Sequence, residues 1–194
     1  MRLVLASGSP RRRDLLLSVG LEFDVHVPTI DERPLHNETP RSYVERLARQ
    51  KALTAAGPGR VVLGADTTVV HEGTIIGKPR DPEDARRILA RLQGDTHSVY
   101  TGVAVAWQGE GEPEVRVEVE GSEVKLVPIN EAEIVAYVDT GEPLDKAGAY
   151  ALQGVGAMFV DSVRGSPTNV VGLHLPSAVR LLRSAGVDVM GRSR

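Results

Sequence analysis

Apolar positions along this chain recur alternately in short runs and at helical spacing, and small polar clusters mark each change. Arg2-Leu3-Val4-Leu5-Ala6 reads as a short buried strand, Ser7-Gly8-Ser9-Pro10 as a tight loop, and Leu15, Leu16, Leu17 and Val19 as the apolar residues of a helix opened by Arg11-Arg12-Arg13. Ser9 is placed to cap that helix, with Pro10 at its first position. Residues 23–29 read as a strand and residues 31–37 as an exposed loop. Thr39 and Pro40 open a second helix, on which Val44, Leu47, Ala48, Lys51 and Ala55 recur at helical spacing until Gly57-Pro58-Gly59. A β-rich run from Val61 to Val70 carries Asp66 in its middle, and Thr74-Ile75-Ile76 follows a short turn. Asp81 and Pro82 start a third helix that runs to Gly94. Residues 96–107 and 115–127 alternate strongly enough for two long antiparallel strands joined by a loop over 109–113. Asn130 and Glu133 form a capping box for a helix ending at Gly141; residues 158–163 read as a short strand, and a last helix spans about 177–185.

A chain of 194 residues with 41% hydrophobic content suits one well-buried domain and is short for two, so residues 1–194 are read as a single domain. A net charge of -3 argues against a broad basic footprint for nucleic acid. With no cysteine there is no disulfide framework and no thiolate nucleophile or metal site, a composition that suits a reducing cytoplasm. No stretch approaches the roughly 20 apolar residues of a membrane span. A soluble cytoplasmic protein without membrane or stable nucleic-acid partners is therefore expected.

Three features carry candidate chemistry. At the first helix, the positive end of the helix dipole, the hydroxyls of Ser7 and Ser9 and the guanidinium groups of Arg11 and Arg12 converge as an anion site would require. The alternative is an ordinary capped helix with solvated arginines. Lys51 lies on an apolar stripe, either snorkelling past the core edge or pointing into a cleft. Asp66 stands inside a β-rich run, where an ionised carboxylate is expensive unless paired, hydrogen-bonded or metal-bound; a strand-end cap is the other reading. The chain has no Gly-x-x-x-x-Gly-Lys-Ser/Thr loop, no complete dinucleotide fingerprint, no Gly-x-Ser-x-Gly elbow and no His-Glu-x-x-His pair. Cations together with acidic residues remain, a combination that fits phosphoryl chemistry assisted by a hard divalent ion such as magnesium.

Ser7-Gly8-Ser9-Pro10-Arg11-Arg12, Glu45-Arg46-Leu47-Ala48 with Lys51, Gly64-Ala65-Asp66-Thr67, Gly77-Lys78-Pro79, residues 97–102, Asp145-Lys146-Ala147-Gly148-Ala149-Tyr150 and residues 169–173 together resemble the Maf family of nucleoside triphosphate pyrophosphatases. The resemblance runs in order through nearly the whole chain. It implies an α/β fold of the Maf/ITPase-like kind, with a long mixed twisted sheet flanked by helices and two lobes around a central cleft. The implied activity is metal-assisted hydrolysis of a nucleoside triphosphate to monophosphate and pyrophosphate, with Mg2+ or Mn2+ as cofactor. Asp66 matches the proton acceptor, and Glu32 the acidic partner near the metal and water, so both are also candidate metal ligands. Lys51 and Lys78 match phosphate-facing lysines, and Asp145 and Lys146 join the substrate-binding set with Ser7, Ser9 and Arg12. Arg11, Thr67 and Gln153 match the positions of substrate choice, in the combination of the branch acting on dTTP and UTP. Gln153 offers both a donor and an acceptor to a pyrimidine edge. A homodimer is the family's expectation, and a nucleotide-binding regulator of septum formation without significant turnover is the alternative function. His174 follows Val171-Gly172-Leu173 where the family often has proline, which leaves the start of the last helix open.

Overall fold

In the computed structural model, which describes residues 1–109 and 111–189, proline sets most helix starts. Helices α1 (Pro10–Ser18), α2 (Pro40–Leu53), α3 (Pro82–Leu92) and α5 (Pro167–Val171) begin at one, and α6 (Leu175–Ser184) has Pro176 in its first turn. Proline is suited to these positions because its fixed φ is helical and its missing N–H would have no intrahelical partner. Thr39 accepts from the Ser42 N–H and Asp81 from the Asp84 N–H, as expected. Helix α4 (Glu131–Asp139) opens with the expected capping box of Asn130 and Glu133.

One expected cap is absent. Ser9 occupies the cap position of α1, yet its side chain makes no capping bond; its backbone N–H donates instead to Ser7 Oγ at 3.2 Å. The last helix starts at Leu175, two residues earlier than expected, where His174 Nδ1 meets Ser177 Oγ at 2.8 Å.

Seven strands form one sheet in the order β2-β1-β3-β5-β6-β7, with β4 also paired to β3. They are β1 (Arg2–Ala6), β2 (Asp24–His26), β3 (Arg60–His71), β4 (Thr74–Ile76), β5 (Thr96–Trp107), β6 (Glu114–Leu126) and β7 (Val160–Arg164). β1 pairs in parallel with both β2 and β3, while β3/β4 and β6/β7 are antiparallel. The chain is thus an α/β protein with a mixed sheet. The expected strand over 23–29 shortens to three residues, and the one expected from Met158 starts at Val160, after a 3-10 turn over Val155–Phe159. Glu110, in the loop expected between the two long strands, lies outside the described residues.

The chain divides into two compact units, one of Met1–Asp66, Thr101–Glu120 and Gly172–Arg194, the other of Thr67–Tyr100 and Gly121–Val171. The first has two apolar clusters, one of which includes Leu5, Leu16, Leu63, Val103, Leu173 and Leu182, the other Val4, Ala48, Ala52, Val62 and Ala104. The second unit packs around Leu89, Leu92, Leu126, Tyr137 and Phe159. No helix among the described residues is long and apolar enough to cross a membrane.

Candidate active site

Two glycines set the geometry of the first unit's site. A Cβ at Gly64 would lie 2.6 Å from both Ala48 O and Ala52 N, and one at Gly102 would collide with Val44 O. Helix α2 therefore rests directly on strand backbone at these two points, an approach any side chain would block. Successive residues of a strand face opposite sides, so Asp66, two residues after Gly64, faces α2 as well. Lys51, one turn after Leu47 on that helix, is thereby laid over it.

Lys51 Nζ donates to Asp66 Oδ1 at 2.7 Å and pairs with Glu32 Oε1 at 2.6 Å. Lysine and aspartate are each only 6% exposed, which settles the two open readings: Lys51 points inward, and Asp66 is paired within the strand and not a strand-end cap. Arg12 is also buried; its Nε donates to Gly172 O at 2.8 Å and its guanidinium to Ser7 Oγ at 3.1 Å. Ser7 Oγ thus accepts from both Arg12 and the Ser9 N–H, which leaves its own proton to donate. The first turn of α1 holds no acidic residue and carries arginines instead, so positive charge gathers at the positive end of the helix dipole.

Burial pushes the Asp66 carboxyl above the usual carboxylate range, against the opposing charges of Lys51 and Arg12. A carboxylate raised in this way is a better proton acceptor near neutral pH than an exposed one. Burial also draws the Arg12 guanidinium down from its ordinary value, opposed by Asp66 and Glu32.

Glu32 is held by Tyr43, which the sequence reading does not name, and the segment around it by Arg46, named there only within the Glu45-Arg46-Leu47-Ala48 motif. Tyr43 Oη donates to the Glu32 backbone carbonyl at 2.9 Å, and its phenol is pushed up to about 12 by burial and by Asp66 and Glu32, so it stays a donor. Arg46 clamps Glu38 through both carboxylate oxygens, at 2.6 and 2.7 Å, and reaches Arg33 O at 3.2 Å. The signal was present in the four-residue spacing of Tyr43, Leu47 and Lys51 on one helix.

Thr67, Lys78, Asp145, Lys146 and Gln153 belong to the second unit. Lys146 Nζ donates to Asp145 Oδ1 at 2.6 Å and to Glu142 O at 2.5 Å, and the Gly148 N–H donates to Gly77 O, next to Lys78. Gln153 is exposed on the segment before the 3-10 turn at Val155–Phe159.

A mixed-sheet α/β protein with a buried carboxylate under a lysine, beside a helix start rich in serine and arginine, has the make-up of a protein that handles phosphate-bearing ligands. The chain belongs to the Maf-like proteins, whose family model matches residues 2–185. It is 55% identical to the dTTP/UTP pyrophosphatase of Anaeromyxobacter dehalogenans (strain 2CP-C), over 95% of this chain and 94% of that one. It is 50% identical to the dTTP/UTP pyrophosphatase of Moorella thermoacetica (strain ATCC 39073 / JCM 9320), over 98% of both, and 48% identical to that of Myxococcus xanthus (strain DK1622), over 98% and 96%. Among solved structures, that of the Staphylococcus aureus Ham1 protein aligns with 95% of this chain and 97% of its own at 15% identity and a TM-score of 0.49.

Proposed function

We propose that this chain hydrolyses nucleoside triphosphates, dTTP and UTP foremost, to the monophosphate and pyrophosphate, with Asp66 as the proton acceptor. The observation that carries the reading is that buried Lys51 bridges buried Asp66 and the half-exposed Glu32; the substrate comes from the name its relatives share. In the step this implies, water oxygen attacks the α-phosphorus and one of its protons passes to the Asp66 carboxylate. The bond from the α-phosphorus to the bridging oxygen breaks, and pyrophosphate leaves with that electron pair. Lys51, Arg11 and Arg12 are assigned to the phosphate charge, with the Ser7 and Ser9 hydroxyls as donors. In the second unit Lys78, Asp145 and Lys146 are assigned to substrate binding, and Thr67 and Gln153 to the choice of base.

The donor set suits a hard divalent ion, because Asp66 and Glu32 are both oxygen donors and both reach the same ammonium. They would hold Mg2+ or Mn2+ with help from substrate phosphates, and the ion would polarise phosphate oxygens and acidify bound water. The cysteine-free composition supports a cytoplasmic setting, and a homodimer is proposed on family resemblance alone. Product analysis over dTTP, UTP, CTP, ATP and GTP with Mg2+ or Mn2+ tests the reading. Monophosphate plus pyrophosphate, fastest from dTTP and UTP, is the expected result. Binding without turnover would replace it with the regulator reading, and release of orthophosphate would place the attack at another phosphorus.

A further inference from the structure

Glu142, in the second unit, accepts from one hydroxyl and two backbone N–H groups, and none of these bonds serves the array around Asp66. Its Oε1 accepts from Tyr137 Oη at 2.8 Å and from the Gly156 N–H at 2.9 Å, and its Oε2 accepts from the Val155 N–H at 3.0 Å. Tyr137 Oη accepts in turn from the Ala151 N–H at 3.2 Å. One carboxylate and one phenol therefore tie down both ends of residues 151–156, the segment that presents Gln153.

The segment is shaped to receive these groups. Gly154 sits at φ 80° and ψ -151°, a conformation essentially restricted to glycine, and a Cβ there would run into Glu142 Oε2. A Cβ at Gly156 would run into Tyr137 Oη and lie 2.8 Å from Ala151 N. Side chains are excluded from both positions because the carboxylate and the phenol occupy the space. Burial raises the Glu142 carboxyl, but the N–H groups of Gly156 and Val155 and the Tyr137 hydroxyl outweigh it and hold the group ionised. Tyr137, held high by burial and by Glu142, remains a donor.

We propose that Glu142 is a positioning residue for base choice: with Tyr137 it fixes residues 151–156 in one conformation and so holds the Gln153 amide where the base edge is read. This rests on the reading of Gln153 given above. A side chain on an untethered segment would still meet a nucleotide, but it would lose the orientation that separates pyrimidine from purine edges.

Three variants and two readouts test it. The preference is the ratio of kcat/KM for dTTP to that for ATP, and the tether itself is read from amide hydrogen exchange at Val155 and Gly156. In Glu142→Ala these amides should exchange at least about tenfold faster, and the preference should fall by about tenfold or more, mostly through KM for dTTP and not through kcat. Glu142→Gln keeps one acceptor oxygen but turns an N–H toward a second N–H, so it should fall between wild type and Glu142→Ala. Gln153→Ala should lower the preference by itself, and adding Glu142→Ala to it should lower the preference no further. If Glu142→Ala is too unstable to purify, Tyr137→Phe, which removes only the hydroxyl, takes its place with the same expected signs. Should Gln153→Ala lower the preference while Glu142→Ala and Tyr137→Phe leave it at the wild-type value, the positioning role is refuted and the reading of Gln153 stands. Should Gln153→Ala itself leave the preference unchanged, both are refuted, whatever the amides do.

Discussion

Adding one methyl group at Gly64 should disable the site without touching any of its polar atoms. The Cβ of Gly64→Ala would lie 2.6 Å from Ala48 O and Ala52 N and 3.1 Å from Ala52 Cα, all of them helix backbone with no rotamer to give. Ordinary carbon contacts lie at about 3.5–4.0 Å, so α2 must lift from β3 by about 1 Å. Lys51, one residue before Ala52, would move with it. Its 2.7 Å bond to Asp66 would then stretch beyond hydrogen-bonding range. Overpacking of this kind costs roughly 1–3 kcal/mol, and a misplacement near 1 Å in a catalytic array costs on the order of 100-fold in rate. Thermal unfolding together with kcat/KM for dTTP checks both numbers. The expected outcome is a midpoint lower by about 2–10 °C with turnover down by about two orders of magnitude. Wild-type turnover in a folded Gly64→Ala protein would refute the argument that close approach of the helix builds the site.

The other expectations concern titrating and supporting groups. Asp66→Asn should keep the fold and lower kcat by roughly two to four orders of magnitude; because burial raises the Asp66 carboxyl, the acid limb of kcat/KM in the wild type should lie above the ordinary carboxylate range, and a pH-rate profile reads both. Tyr43→Phe deletes the bond to the Glu32 backbone and should lower kcat/KM by about tenfold with under ~1.5 kcal/mol of lost stability, measured by kinetics beside denaturant unfolding. His97 bonds Tyr150 Oη through Nε2, while its buried Nδ1 has no partner, and burial lowers its pKa to about 4. The unfolded state then takes up a proton below pH 6.5 that the folded state refuses, so this residue should make stability fall as pH drops from 6.5 toward 4, by as much as about 3 kcal/mol. Denaturant midpoints across that range should fall less steeply in His97→Gln.

Local signals carried the fold far. Proline after a polar cap places the starts of α2 and α3 to the residue, and a long β-rich run with partial alternation places β5 over Thr96–Trp107. Lys51 and Asp66 stood out because each is a charge on an apolar face, and the structure pairs them. What failed depended on partners distant in sequence. Ser9 has the residue type of a cap, but Ser7 receives its N–H, and Ser7 is itself held by Arg12, whose Nε reaches Gly172 O, 160 residues away. No local pattern announces that contact. The expected strand at 23–29 shrank for a related reason: only three of its residues find a partner in β1, and exposed Val25 and Val27 show that its alternation marks no core. Glu142 carries no local signal because two of its bonds are to backbone N–H groups, which any residue but proline supplies and no composition reveals. The short helix α5 was likewise seen only as part of a motif, too brief for periodicity to register.

The packing of small residues and the chemistry of Asp66 follow from one cause. An aspartate in mid-strand would ordinarily be solvated or replaced, since burying an ionised carboxylate costs several kcal/mol even after relaxation. Here Gly64, Ala48 and Ala52 let the helix close over the strand, and the cost is met by bringing Lys51 with the helix. The compensation is incomplete, because burial still outweighs Lys51 and Arg12 in setting the carboxyl. For the proton-acceptor role proposed above, incompleteness is the useful part: a fully compensated aspartate would be too weak a base to take a proton from water. Lys51, meanwhile, divides its charge between Asp66 and the half-exposed Glu32, so one of its two partners sits at the edge where a ligand can compete for it. A larger side chain at position 48, 52 or 64 would admit water beside Asp66, lower its basicity and separate it from Lys51 in a single step.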